Sequence, residues 1–350
     1  MLKDYLLPLV LSAGLTAALG PAAIFAGRRL GVLDRPGGRR VNEKPVPRLG
    51  GLAIFGGFML ALALTPSPPG ARAGAVFAGT AAFVLGFLDD LYDLKPGIKL
   101  AGQIFTASIL PLCGISIRYL TNPWGGMFDL GWLAGPATVF WVVALMNMIN
   151  LIDGLDGLAA GVCAIAAVNL LFLPQCVQRP FVALLCLLTI GCAAGFLPYN
   201  FHPARTFMGD GGSHFLGFVL GFITVAGALK GRAALTMSIP FLALAVPFFD
   251  TALAVFRRCQ NGQSIFTGDR GHLHHRLLYL GFNHRQTVLL LYACSAVFGI
   301  GSNFLARLAA HLGVTLLTGL LICAAWGLHR VGVDRAAWHG RTHQSLPPQR

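Results

Sequence analysis

The 350-residue sequence is short of charge. Asp, Glu, Lys and Arg make up 11% of it, and only 13 residues are acidic. A soluble domain carries about a quarter charged residues, so a surface facing water on all sides is excluded. Cysteine is present but unpatterned. The eight, at 113, 163, 176, 186, 192, 259, 294 and 323, form no CxxC and lie mostly inside apolar runs. They read as small core residues, which leaves out a disulfide framework and a Cys-based metal centre. Also missing are a P-loop, a dinucleotide-binding Gly-rich turn, a Ser-His-Asp arrangement and a haem motif. No cleavable secretory leader is expected; the run from Leu6 to Ile24 reads as a first span.

What is abundant is apolar sequence: 55% of residues are hydrophobic and the mean hydropathy is +0.69. A helical span needs ~20 such residues. Breaks of Gly, Pro and charge divide the chain into about eleven spans. They are expected at 5–26, 50–66, 74–88, 98–117, 134–149, 158–174, 181–198, 213–229, 235–255, 286–305 and 312–329. The expected fold is all-α and polytopic. Residues 1–330 form one integral-membrane domain, and 331–350 form a polar tail expected to be disordered. Between Ile117 and Trp132 a short hairpin on the membrane surface is expected.

The net charge of +13 raises nucleic acid as a partner. Basic residues flanking spans on the cytoplasmic side explain it better. With the N-terminus outside, 19 Lys and Arg fall on inner segments and 7 on outer ones. This bias predicts N-out, C-in. Of the acids, only Asp4 and Asp129 then fall outside; the other eleven fall inside or at the inner face. Acids contribute little to topology, so their clustering suggests a metal or substrate site on the cytoplasmic side.

Five inner segments carry that site. The first holds Lys44, then Pro45-Val-Pro47-Arg48-Leu-Gly50-Gly51. Stiff prolines before a Gly pair suggest a shaped backbone close to something, whereas any single Arg here reads as topogenic charge. In the second, the adjacent Asp89 and Asp90 close a span, a costly placement unless a cation or substrate compensates them. Asp93 stands one turn on if the helix continues, and Lys99 can reach back to a phosphate. The third is Asn147-Met-Ile-Asn150-Leu-Ile-Asp153-Gly154-Leu-Asp156-Gly157, polar between two long apolar runs. On a helical turn Asp153 and Asp156 share a face, and Gly154 and Gly157 admit a ligand close to the backbone. The fourth contains Asn200 and His202, expected to cap and pack, and then Phe207-Met-Gly-Asp210-Gly-Gly-Ser213. Asp210 precedes a span start, where a metal-binding carboxylate meets a helix N-terminus suited to phosphate. Phe207 can stack on a base or serve as an apolar anchor. The fifth holds His272, His274, His275 and Arg276. No Cys, and no Glu at zinc-protease spacing, accompanies these histidines, so pyrophosphate binding is favoured over zinc.

In order, and on one face from about residue 31 to 295, these motifs resemble the polyprenyl-phosphate N-acetylhexosamine-1-phosphate transferases, the MraY/WecA/TagO-like family. The sequence His272-Leu-His274-His275-Arg276, with Gly281-Phe-x-His284-Arg285-Gln286, looks like the WecA/TagO branch. Asn42 departs from the His common there. The resemblance implies transfer of N-acetylhexosamine-1-phosphate, GlcNAc-1-phosphate first, from a UDP-sugar to polyprenyl (undecaprenyl) phosphate, with UMP released. It implies magnesium, with manganese as a substitute, at Asp210 and Asn150. Asp89, Asp90, Asp153, Asp156 and Asp210 would be the catalytic acids, with Asp89 and Asp90 at the lipid phosphate, one of them as its base; Lys99, His272, His274, His275 and Arg276 would hold phosphates. Phe207, Asp153, Gly154, Asp156 and Lys44 would line the nucleoside pocket. The partners implied are the sugar nucleotide, polyprenyl phosphate, membrane lipid and a second copy in a homodimer, with no nucleic acid. Other readings are a UDP-MurNAc-pentapeptide translocase, a secondary transporter and a basic scaffold. Transporters place ionisable groups near the midplane in repeated halves. Here the acids lie at an edge and no repeat is evident. A scaffold leaves the aligned acids unexplained.

Overall fold

The computed structural model describes residues 2–34, 45–121, 127–173, 176, 178–228, 277–278 and 280–305. Among them are nine α-helices. These are α1 (Leu2–Arg29), α2 (Gly51–Leu64), α3 (Pro69–Tyr92), α4 (Pro96–Leu112), α5 (Ala134–Ile152), α6 (Leu158–Leu171), α7 (Pro180–Asn200), α8 (Gly209–Ala228) and α9 (His284–Leu305). Each matches one expected span. The expected spans 235–255 and 312–329 and the tail lie outside the described residues.

Two small antiparallel ribbons interrupt the helices. In one, β1 (Leu33–Asp34) pairs with β2 (Val46–Pro47). In the other, β3 (Tyr119–Thr121) pairs with β4 (Met127–Asp129), with Leu120 opposite Phe128. The second is the hairpin expected between Ile117 and Trp132.

Stretches within α1, α3, α5 with its preceding turn, and α7 are long and apolar enough to cross a membrane, while α2 and α6 are apolar but shorter. Large apolar side chains lie exposed on the helices' outer faces: Phe77, Phe105, Leu112 and Phe140 are all more than 60% exposed. Hydrocarbon is the solvent that accepts such a surface. The polytopic helical membrane protein read from composition is therefore also the protein seen in three dimensions.

The core lies around α8. Phe215, Phe218 and Phe222 are buried along it. Phe55 of α2 stacks on Phe83 of α3 with ring centroids 4.2 Å apart, and Phe215 meets Phe55 edge-on at 5.4 Å. This aromatic knot fixes α2, α3 and α8 together one or two turns from the acidic ends of α3 and α8. On the opposite flank, Trp141 of α5 donates its indole N–H to Thr224 Oγ1 of α8 at 2.7 Å.

A candidate active site at the ends of four helices

Proline opens α4 at Pro96, where a missing N–H costs nothing. That start places Lys99 in the first turn of α4. The helix α3 ends at Tyr92 because Asp93 adopts φ +50°, left-handed, and its N–H bonds back to Asp89 O. Asp93 thus caps the helix, correcting the expectation that it stands beside Asp89 and Asp90 on a continuing turn. Asp89 accepts the Leu94 N–H at 2.8 Å.

Lys99 Nζ lies 2.6 Å from Asp89 Oδ2, 3.1 Å from Asp210 Oδ2 and 3.4 Å from Asn150 Oδ1. Three oxygens from α3, α8 and α5 thus converge on one positive charge. Asn150 Nδ2 donates to Asp210 Oδ1 at 2.5 Å and to Ser213 Oγ at 3.0 Å.

Asp90 does something different. Its two carboxylate oxygens accept the backbone N–H groups of Asp210 and Gly211, each at 2.9 Å. A carboxylate from α3 therefore closes the N-terminus of α8, where free N–H groups and the helix dipole favour an anion. Arg48 approaches Asp90 Oδ1 at 3.4 Å. Close backbone approach makes this possible. A Cβ on Gly86, one turn before Asp90, would meet Asp210 O at 2.1 Å. Gly209 has φ +66°, and a Cβ there would meet Arg48 O at 2.2 Å.

The proline-rich segment at 45–51 is shaped as its composition suggested, and its neighbour is now known. Phe207 N–H donates to Pro47 O at 2.8 Å, Gly50 N–H to Phe207 O at 2.9 Å and Gly51 N–H to Met208 O at 2.9 Å. These bonds hold the segment before α8 by its backbone and leave the Phe207 ring partly exposed.

The opening between α5 and α6 is not helical. α5 stops at Ile152 and α6 starts at Leu158, so Asp153 and Asp156 do not share a helical face, and they part company. Asp153 stays near the Arg48–Asp90–Asp210 group; burial, then the charge of Asp210, pushes its carboxyl up to about 8, against the pull of Arg48. Asp156 Oδ2 turns to the α7–α8 loop. It lies 2.8 Å from His202 Nδ1 and accepts the Ala204 N–H at 3.0 Å. Asn200 caps, as expected: its Oδ1 accepts the Gly157 N–H and its Nδ2 donates to Thr206 O. Gly154 is exposed at the loop tip.

Beneath the charged layer lies a second polar layer, of which sequence reading singled out Asn147 but not Gln103 or His214. Gln103 Nε2 lies 2.8 Å from His214 Nε2, Asn147 Nδ2 donates to Gln103 Oε1 at 2.7 Å, and His214 Nδ1 lies 2.7 Å from Asp210 O. Each member stands one turn from a charged-layer residue on its own helix: Gln103 from Lys99, Asn147 from Asn150, His214 from Asp210. The available signal was that i, i+3 and i, i+4 spacing within apolar helices. Lys44, His272, His274, His275 and Arg276 lie outside the described residues.

Residues 73–228 match the model of the family described as glycosyl transferase family 4. The probable undecaprenyl-phosphate N-acetylglucosaminyl 1-phosphate transferase of Bacillus subtilis (strain 168) is 38% identical, covering 84% of this chain and 83% of its own. The decaprenyl-phosphate N-acetylglucosaminephosphotransferase of Mycobacterium tuberculosis (strain ATCC 25618 / H37Rv) is 35% identical over 83% of this chain and 80% of its own. The undecaprenyl-phosphate alpha-N-acetylglucosaminyl 1-phosphate transferase of Yersinia pestis is 28% identical over 88% and 90%. With its motifs in order, its acids gathered where several helices end and relatives alike over most of their length, the chain belongs to glycosyl transferase family 4, among the WecA/TagO-like polyprenyl-phosphate sugar-1-phosphate transferases.

Proposed function

We propose that the protein transfers GlcNAc-1-phosphate from UDP-GlcNAc to a polyprenyl phosphate. The observation that carries this is the meeting of Asp89, Asn150 and Asp210 on Lys99, with Asp90 alongside. Both substrates are anions, and their approach requires fixed positive charge. An oxygen of the lipid phosphate attacks the sugar-side phosphorus of the diphosphate. The bond from that phosphorus to the bridging oxygen breaks, and UMP leaves with the electron pair.

The donor set fits magnesium. Its members are carboxylate and amide oxygens, the hard ligands that ion takes. They already converge on one positive charge, the Lys99 ammonium. Asp210 and Asn150 would hold the ion, with Asp89 the third oxygen donor within reach. When bound, magnesium supplies charge neutralisation to the diphosphate.

The chain's own groups divide the remaining work. Lys99, which pairs with Asp89 and Asp210, would hold a phosphate oxygen with the ammonium that those carboxylates face. Asp90 accepts the two N–H groups that open α8 and so positions Asp210. A lipid phosphate has its second pKa near ~6 and needs no strong base. Asp153, Gly154, Asp156 and Phe207 supply the nucleoside side, together with Lys44. His272, His274, His275 and Arg276 complete phosphate binding from the fifth inner segment. The site faces the cytoplasm in an N-out, C-in arrangement, on the strength of the Lys and Arg bias.

Exchange of radiolabelled UMP into UDP-GlcNAc, measured on purified protein with polyprenyl phosphate and magnesium, tests this reading. Wild type exchanges label. Asp210→Asn, folded normally by size exclusion, loses about 10³-fold or more. Full exchange in that variant removes Asp210 from the site.

A further inference from the structure

Sequence alone gives no reason to single out Arg48 from the other basic residues of the first inner segment. Its placement does. Among the described residues, Lys99 and Arg48 are the two Lys or Arg side chains in ion-pair contact with Asp89, Asp90 or Asp210. The backbone of Arg48 is held firmly. Its N–H donates to Val32 O at 3.1 Å, and a Cβ on Gly209 would strike its carbonyl oxygen. On either side of it in sequence the chain is tied to Phe207: Phe207 N–H donates to Pro47 O at 2.8 Å, and Gly50 N–H donates to Phe207 O at 2.9 Å. Arg48 therefore leaves the backbone beside the aromatic of the nucleoside side. Its guanidinium ends at Asp90, the carboxylate that caps Asp210 and Gly211.

That guanidinium has donors to spare. Arginine offers several N–H groups in a planar fork. Its contact with Asp90 is a 3.4 Å approach to an oxygen that already accepts the Asp210 N–H. The Asp90 side chain is 2% exposed and that of Arg48 31%, so Arg48 is the solvent-facing member of the pair. It also keeps its charge. Burial acts to lower its pKa, but the charges of Asp90, Asp210, Asp34 and Asp153 outweigh burial and raise it.

Building on the transferase reading, we infer that Arg48 binds the phosphate next to the nucleoside, the one that leaves as UMP. A diphosphate reaching from Phe207 to Asp210 and Asn150 passes the guanidinium that joins those two places. When the bond from the sugar-side phosphorus to the bridging oxygen breaks, its electron pair stays on that oxygen, which becomes a terminal oxygen of UMP. Negative charge grows there. A fork of N–H donors suits two oxygens of one phosphate and is worth most where charge develops in the transition state. Arg48 is thus a leaving-group residue, with its register set by the same backbone bonds that place Phe207.

The test measures binding of radiolabelled UMP to the full chain in detergent with magnesium, with uridine as competitor. Arg48→Gln should bind UMP at least about tenfold more weakly, with uridine affinity unchanged. Its kcat for transfer should fall about tenfold or more. A residue that only shapes the loop would lower both affinities together. If Arg48→Gln does not fold, Arg48→Lys decides, because it keeps a charge beside Asp90 and loses the fork. UMP affinity there should fall about threefold or more against constant uridine. Unchanged UMP affinity in the folded variant, or equal loss of UMP and uridine, overturns the inference and leaves the transferase reading intact. Wild type that binds no UMP overturns both.

Discussion

At the scale of single residues, Asp153 is the acid most out of place. Its carboxyl is held near 8 by burial and by the charge of Asp210. The folded state therefore keeps a proton that the unfolded chain releases near 3.8, and stability falls as pH rises from 3.8 to about 8. Asp153→Asn removes that loss. In EDTA, its melting temperature should rise above wild type by more at about pH 8.5 than at about pH 5.5. An offset that stays constant over that range contradicts the assignment. The residue scale is also where the sequence was most legible. The adjacent Asp89 and Asp90, Asn150 and Asp210 announce themselves, because a charge at the end of an apolar run needs a reason. Their division of labour was not legible. That Asp90 caps α8 depends on how closely α3 approaches α8, which spacing along one chain does not record.

At the scale of elements, two contacts set the geometry. The first is the α3–α8 crossing at Gly86. Gly86→Ala puts a methyl into Asp210 O, forces the helices apart and should cost about 1–3 kcal/mol of stability. Transfer should fall at least tenfold, since Asp89 and Asp90 ride on the same helix. Gly97→Ala meets nothing within 4 Å and should be neutral. Melting curves and initial rates on both variants check this pair of outcomes. The second contact is the lower polar layer. Gln103→Leu breaks its bonds to His214 and Asn147 while keeping an apolar helix. Even one of these hydrogen bonds, about 1.4 kcal/mol, corresponds to a tenfold change, so kcat should fall about tenfold or more, with KM for the sugar nucleotide little changed. A KM effect with unchanged kcat would place Gln103 in substrate binding instead. Helix positions were legible because apolar runs and Gly/Pro breaks report them directly. The α5–α6 turn was less so: Asp153 and Asp156 fit helical spacing, but α5 ends at Ile152, before both, and Gly157 at φ +81° leads into the next helix.

At the scale of the whole molecule, the pattern is one of a lipid-facing helical bundle with its polar chemistry at one end. The exposed Phe and Leu side chains of α3, α4 and α5 face outward, while the same helices turn Asp89, Asp90, Lys99 and Asn150 toward α8. Such an arrangement lets a lipid-borne phosphate arrive from the membrane and a nucleotide from water. We propose that the acids at that end, gathered on Lys99, carry sugar-phosphate transfer between two anions. The most direct test is mass spectrometry of the lipid phase after purified protein meets UDP-GlcNAc, undecaprenyl phosphate and magnesium. Undecaprenyl-diphosphate-GlcNAc and UMP should form in equal amounts, with neither formed by Asp210→Asn. Free GlcNAc-1-phosphate without lipid product, or no turnover of any UDP-N-acetylhexosamine, would contradict it.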